Sequence, residues 1–253
     1  MELQNMVAMV TGAAGGIGQA IAIRLAKEGA ALVLNDIAIK NLDKIVNEIK
    51  AMGCSATAIK ADVKNSQEVR QMVKATLDDF GRIDILVNVA GGAIRGKGHG
   101  YFHEVQEEFW NSVIDLNLKG TLICCHAVIE HMIQKRGGKI INIASVAGMI
   151  GSSVKEASYS AAKAGVIGFT KALAKELGPF GIHVNCVSPG TIGTAQFFSH
   201  DEESMKLFEG RNYLKRWGKP EEVANIVAFL ASDEASYITG QNYAVCGGRS
   251  LGW

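Results

Sequence analysis

"VTGAAGGIGQAIA", residues 10–22, joins an apolar run to a helical one. The run it closes, residues 7–11, has the composition of a buried strand, and a helical pattern covers 17–28. Between them fall Gly12, Gly15, Gly16 and Gly18. Without side chains the backbone turns sharply and approaches a pyrophosphate closely. The helix start then offers free N–H groups and a positive dipole end. Glycine-rich turns are common, but one at a strand-to-helix junction points to a dinucleotide.

Working outward, strands are expected at 7–11, 31–35, 56–61, 83–89, 139–145, 182–188 and 242–245. Most are apolar almost without interruption, as strands covered on both faces are. Helical patterns alternate with them near 17–28, 40–52, 66–80, 104–136, 157–178 and 220–231. Strand then helix, repeated, predicts an α/β fold, a Rossmann-type doubly wound parallel sheet of seven strands flanked by helices. No linker or internal repeat divides the chain, so residues 1–253 are expected to form one domain. Two segments break the rhythm, 91–101 and roughly 190–219. Both follow strands, and ligands in such sheets bind beyond the carboxyl ends of the strands.

The composition excludes other classes. Hydrophobic residues make up 48% and charged residues 20%, a globular balance, and the net charge of +1 advertises neither nucleic acid nor a membrane surface. Cys54, Cys124, Cys125, Cys186 and Cys246 show no paired spacing, so reduced thiols and a cytoplasmic location are expected. The first residues do not resemble a signal peptide, and no stretch reaches the ~20 apolar residues of a membrane helix. The six histidines make no convincing metal set, and no metal is expected.

Asp36 ends the second strand, 18 residues past Gly18. An acid there can accept from the adenosine ribose hydroxyls and would repel a 2′-phosphate. The glycine loop carries no Lys or Arg and the next residue is Ile37, which points to NAD rather than NADP. Asp62, ending the third strand, can reach the adenine edge.

"YSAAK", residues 159–163, sets a phenol and an ammonium four residues apart, on one helix face among small neighbours. An ammonium nearby stabilises phenolate and lowers the tyrosine pKa, giving an acid/base for an alcohol oxygen. Ser145, just past a strand and 14 residues before Tyr159, can hold the same oxygen. Asn117 lies within a helical pattern that its residue type does not favour.

Taken in order, "TGAAGGIG" (11–18), "NVAG" (88–91), Asn117, Ser145, "YSAAK" and "SPG" (188–190) resemble the short-chain dehydrogenase/reductase family over essentially the whole length. The resemblance implies sheet order 3-2-1-4-5-6-7 and a tetrad of Asn117, Ser145, Tyr159 and Lys163. Tyr159 would be the general acid/base, Lys163 would also hold the nicotinamide ribose, and Asn117 would hold a water. Asp62 and Val63 would meet adenine, and Pro189 and Gly190 would border the nicotinamide. Further cofactor contacts are implied for Gly12, Gly16, Ile17, Gly18, Asn88, Ala90, Gly91 and Ile192. Val89 replaces the family's second Asn, and Cys246 stands where an Asp is frequent.

The activity so implied is NAD-dependent interconversion of a secondary alcohol and a ketone. A 3-oxoacyl-thioester reductase, a cyclic cis-diol dehydrogenase and a hydroxysteroid dehydrogenase are the alternatives. A non-catalytic dinucleotide sensor would predict a damaged tetrad, and this one is complete. Phe197, Phe198, Met205, Phe208, Tyr213 and Trp217 give the 190–219 segment the character of an apolar substrate lid. "IRGKGH" (94–99) has the look of a solvated loop, with an anion cradle as the alternative. The resemblance also implies a homotetramer. Trp253 is expected to dock on a neighbouring subunit, so a chain ending at Leu251 should lose its tetramer in light scattering. An unchanged tetramer with unchanged melting would refute this.

Overall fold

The computed structural model describes residues 2–94, 100–151, 155–195 and 212–250. Seven parallel strands form one sheet in the order β3-β2-β1-β4-β5-β6-β7. They are β1 (Val7–Thr11), β2 (Ala31–Asn35), β3 (Ala56–Ile59), β4 (Ile85–Asn88), β5 (Gly138–Ile143), β6 (Ile182–Pro189) and β7 (Asn242–Val245). The helices are α1 (Gly16–Lys27), α2 (Leu42–Ala51), α3 (Ser66–Phe80), α4 (Glu107–Ile114), α5 (Gly120–Lys135), α6 (Ala147–Ile150), α7 (Ala157–Leu177) and α8 (Pro220–Ala231).

The sheet is buried from both sides because successive strand residues face opposite ways. Ala8, Val10, Leu32, Leu34, Ile85 and Val87 share one core with Ile21 and Leu25 of α1 and with Val223 and Val227 of α8. Met9, Val33, Leu86 and Ile140 enter the other, with Met72 of α3, Val128 of α5 and Leu173 of α7.

Three element ends differ from the sequence expectation. β3 stops at Ile59, not 61, because the Ile59 and Ala61 carbonyls accept from the Asn35 side chain instead of continuing a ladder. β4 spans only Ile85–Asn88, since Val89 N–H and Ala90 N–H bond to Thr11 Oγ1. The helix expected over 104–136 starts at Glu107 and is interrupted by a π-turn at Asp115–Lys119. There Asn117 Nδ2 donates to Val113 O, the carbonyl its own backbone would use in an α-helix. The Glu107–Lys135 run is long and apolar enough to cross a membrane by length and composition. Its Cys124, Cys125, Val128 and Met132 are instead built into the core.

At the amino end of β4 lies a charge cluster. Asp84 is 6% exposed and accepts from Val7 N–H at 2.8 Å and from Arg82 Nε and Nη2 at 2.7 and 2.8 Å. Lys135 Nζ, at the end of α5, donates to it as well. Burial alone would raise the Asp84 pKa, but Arg82, Lys135 and the Val7 N–H outweigh it and hold the carboxyl below its ordinary value. A depressed carboxyl stabilises the fold above its unfolded pKa and loses that contribution as pH falls through the folded one. Asp84→Asn should therefore cost about 2 kcal/mol at pH 7, between the ranges for surface and buried pairs. In urea unfolding the gap to wild type should narrow below the unfolded carboxyl value of about 3.9.

Candidate active site

At the carboxyl end of the sheet, where strand order reverses between β1 and β4, lies a cleft of about 650 Å³. Its wall begins with the glycine loop. A Cβ on Gly18 would stand 2.2 Å from Gly12 O, so the loop closes on itself only with glycine there. The N-terminus of α1 has no side-chain cap and no acid in its first turn. That suits an anionic pyrophosphate, and the cleft is large enough for an extended ligand.

Asp36 stands half-buried at one end of the cleft. Its Oδ2 accepts from Ala14 N–H at 3.2 Å and its Oδ1 from Ala38 N–H at 2.9 Å. Ile37 beside it is 65% exposed. Asp62 and Val63 line the same end, with Lys64 Nζ 3.5 Å from Asp62 Oδ2.

Ser145, Tyr159 and Lys163 meet at the other end. Ser145 follows β5 and its Oγ accepts from Ala147 N–H at 3.1 Å, which fixes the turn into α6. Tyr159, in the first turn of α7, lies close enough for the Ser145 hydroxyl to act on its pKa. Lys163 is buried, its Nζ 2.8 Å from Ile143 O and 6.0 Å from the centre of the Tyr159 ring.

The electrostatics differ from the sequence expectation of a lowered phenol. Burial pushes Tyr159 above its ordinary value; the Ser145 hydrogen bond pulls it back, and the Glu156 charge pushes it further up. Lys163 is itself lowered to about 8 by burial, against an upward pull from Cys186. An ammonium directed at a backbone carbonyl does not offset the desolvation of the phenol.

Of the residues expected to touch the cofactor, Gly12, Gly16, Ile17, Gly18, Asp36, Asp62, Val63, Ala90, Gly91, Pro189, Gly190 and Ile192 line the cleft. Asn88 does not. Its side chain is buried beneath the floor, donating to Asn142 Oδ1 at 2.8 Å and to Cys125 Sγ at 3.2 Å. Asn117 is fully buried behind the wall. Its Oδ1 accepts from Gly92 N–H at 2.8 Å, and its Nδ2 donates to Gly92 O and Val113 O, both at 3.0 Å. Its amide thus clamps the chain that leaves β4. Sequence reasoning missed Asn35, Leu116 and Thr194 in the lining. Only Thr194 left a trace, four residues past Gly190. Cys246 Sγ lies 3.5 Å from Ser250 Oγ, a local contact within the final turn. The 94–99 loop beyond Ile94, the lid residues Phe197, Phe198, Met205 and Phe208, and Trp253 lie outside the described residues. Of the lid, Tyr213 is 70% exposed.

This fold and cleft define a nicotinamide-dinucleotide oxidoreductase, and the chain belongs to the short-chain dehydrogenase/reductase family. A family model described as "Enoyl-(Acyl carrier protein) reductase" matches residues 12–250. The chain is 44% identical to the BbsD subunit of a (2S)-[(R)-hydroxy(phenyl)methyl]succinyl-CoA dehydrogenase from Thauera aromatica, covering 99% of both chains. It is 47% identical to a 3-oxoacyl-[acyl-carrier-protein] reductase from a Synechocystis strain, covering 98% of both. Among solved structures, gox2181 superposes with a TM-score of 0.94 at 33% identity, over 99% of this chain and 98% of that one. An actinorhodin polyketide ketoreductase variant with NADPH gives 0.92 at 36%, over 98% of each.

Gly91 has φ +147, and a Cβ there would lie 2.7 Å from Asn117 Oδ1 and 3.3 Å from Lys163 Nζ. Gly91→Ala should cost about 1–3 kcal/mol of backbone strain. It should weaken dinucleotide binding about tenfold or more by displacing Lys163 and the Asn117 clamp. Titration of NADH fluorescence and a melting curve would check both.

Proposed function

We propose that this chain interconverts a 3-oxoacyl thioester and the matching 3-hydroxyacyl thioester, with NAD(H) as its dinucleotide. The observation that carries the redox reading is the convergence of Ser145, Tyr159 and Lys163 at one end of a dinucleotide-sized cleft. The thioester is supported by the two curated relatives, whose names join a hydroxyl or oxo group to an acyl chain on CoA or acyl carrier protein.

A bound nicotinamide supplies the hydride to the carbonyl carbon, or takes it from the carbinol carbon. Ser145 Oγ holds the substrate oxygen beside the phenol. In reduction Tyr159 gives its proton to that oxygen; in oxidation it takes the hydroxyl proton. Burial keeps the phenol protonated, the state that serves reduction. Lys163 holds the nicotinamide ribose and favours the phenolate that reduction leaves behind. The glycine loop and the α1 N-terminus hold the pyrophosphate, and Asp36 the adenosine ribose.

Asp36 supports NAD over NADP. A 2′-phosphate would meet a carboxylate at the end of β2. Lys64, the cation lining that end of the cleft, already neighbours Asp62.

The test is nicotinamide absorbance with acetoacetyl-CoA, simple ketones and cyclic diols, each with NAD(H) and NADP(H). Acetoacetyl-CoA should be reduced with NADH. Tyr159→Phe should lower kcat by at least about a thousandfold and leave NADH binding intact. Oxidation should still be speeding up with pH in the alkaline range, because burial raises the Tyr159 phenol above its ordinary value. An active Tyr159→Phe enzyme would refute its role. Turnover of free alcohols alone would overturn the thioester, and turnover with NADPH alone would overturn the reading of Asp36.

A further inference from the structure

Asn35 closes β2 with 1% of its surface exposed and lines the adenosine end of the cleft. Its Nδ2 donates to Ile59 O at 3.1 Å and to Ala61 O at 3.0 Å. Two carbonyls can be served only by the nitrogen end of the amide, so its orientation is fixed. Both belong to the chain leaving β3, just before Asp62 and Val63. The main-chain oxygen of Asn35 accepts from Ala13 N–H, in the glycine loop, at 3.0 Å. The next residue, Asp36, accepts from Ala14 N–H. One residue therefore joins the glycine loop, the ribose-facing acid and the turn at Asp62.

That turn is otherwise organised by its own atoms. Asp62 N–H donates to Glu68 Oε2, Asp62 Oδ1 accepts from Lys64 N–H, and Asp62 O accepts from Asn65 N–H, each at 2.9 Å. Those bonds shape the turn without tying it to the sheet. The Asn35 amide supplies that tie.

Asn35 Oδ1 is buried without a hydrogen-bond partner. A buried orphan acceptor costs about what ordinary hydrogen bonds return. A leucine of similar size would remove that orphan but leave the Ile59 and Ala61 carbonyls without their donor, so the amide both stabilises the turn and ties it to the sheet. We infer that Asn35 is a positioning residue for the adenine pocket, acting through Ala61 to set where Asp62 and Val63 stand against the base. The inference rests on the reading of Asp62 and Val63 as the adenine contact.

The base preference tests it. A carboxylate accepts from the amino group of adenine and repels the carbonyl oxygen that hypoxanthine carries in its place. Calorimetry would measure Kd for NAD and for nicotinamide hypoxanthine dinucleotide in wild type, Asn35→Leu, Asn35→Ser and Asp62→Ala. Asn35→Leu should melt below wild type, since two carbonyls lose their donor, and stay folded at the assay temperature. It should bind NAD about tenfold more weakly and lose most of the preference for adenine. Asn35→Ser, which keeps one donor, should fall between. If Asn35→Leu keeps the wild-type preference while Asp62→Ala loses it, the role of Asn35 is refuted and the adenine contact stands. If Asp62→Ala keeps it too, the adenine contact itself is wrong and the inference falls with it. Should Asn35→Leu fail to fold, Asn35→Ser decides, and an unchanged preference there would overturn the positioning role.

Discussion

A parallel sheet must satisfy its backbone where the strands end, and in this protein one row of side chains does so. In register across the sheet stand Ile59, Asn35, Thr11, Asn88, Asn142, Cys186 and Asn242. Beyond this level the ladders among β3, β2, β1 and β4 end, and buried N–H and C=O groups there need other partners. Thr11 Oγ1 takes the N–H groups of Val89 and Ala90, and Asn35 Nδ2 takes the carbonyls of Ile59 and Ala61. Asn142 links Asn88 of β4 to Thr170 of α7, and Asn242 Oδ1 accepts from Ser188 Oγ. The dinucleotide cleft stands on this polar layer, and the loops after β1, β2 and β4 depart from the sheet at this height.

The same layer explains what the sequence disclosed and what it hid. The glycine loop, the apolar strands and the Tyr159–Lys163 spacing were legible because each is a local pattern, fixed by a turn, a strand face or one helical turn. The ends of β3 and β4 were not, because they are set by partners 24 to 79 residues away. Asn88 was taken for a cofactor contact because it precedes Ala90 and Gly91. Strand alternation turns it under the floor instead, toward Cys125 and Asn142. Asn117 was noticed as a poor helix former, and that observation was sound. Its physical outcome is a π-turn and a clamp on Gly92, which no helical periodicity announces.

The reacting end of the cleft is governed by desolvation. Lys163 is buried against Ile143 O, and Tyr159 is raised by the same apolar surroundings. Each group alone is biased toward its neutral form. A proton moved to or from the phenol therefore changes the charge of a site with little water to screen it, so the placement of each neighbouring dipole carries weight.

The π-turn at Asp115–Lys119 has a consequence for how the chain tolerates change in length. It holds one residue more than an α-helical turn, and each residue rotates a helix by about 100°. The buried stripe of Cys124, Cys125, Val128 and Met132 comes after it. Losing a single residue between 115 and 119 would let the segment relax to a plain α-helix with the stripe still facing the core, because the π-turn absorbs its extra residue within one rotation. What such a deletion would cost is local: the Asn117 clamp on Gly92, and with it the path of the chain that leaves β4.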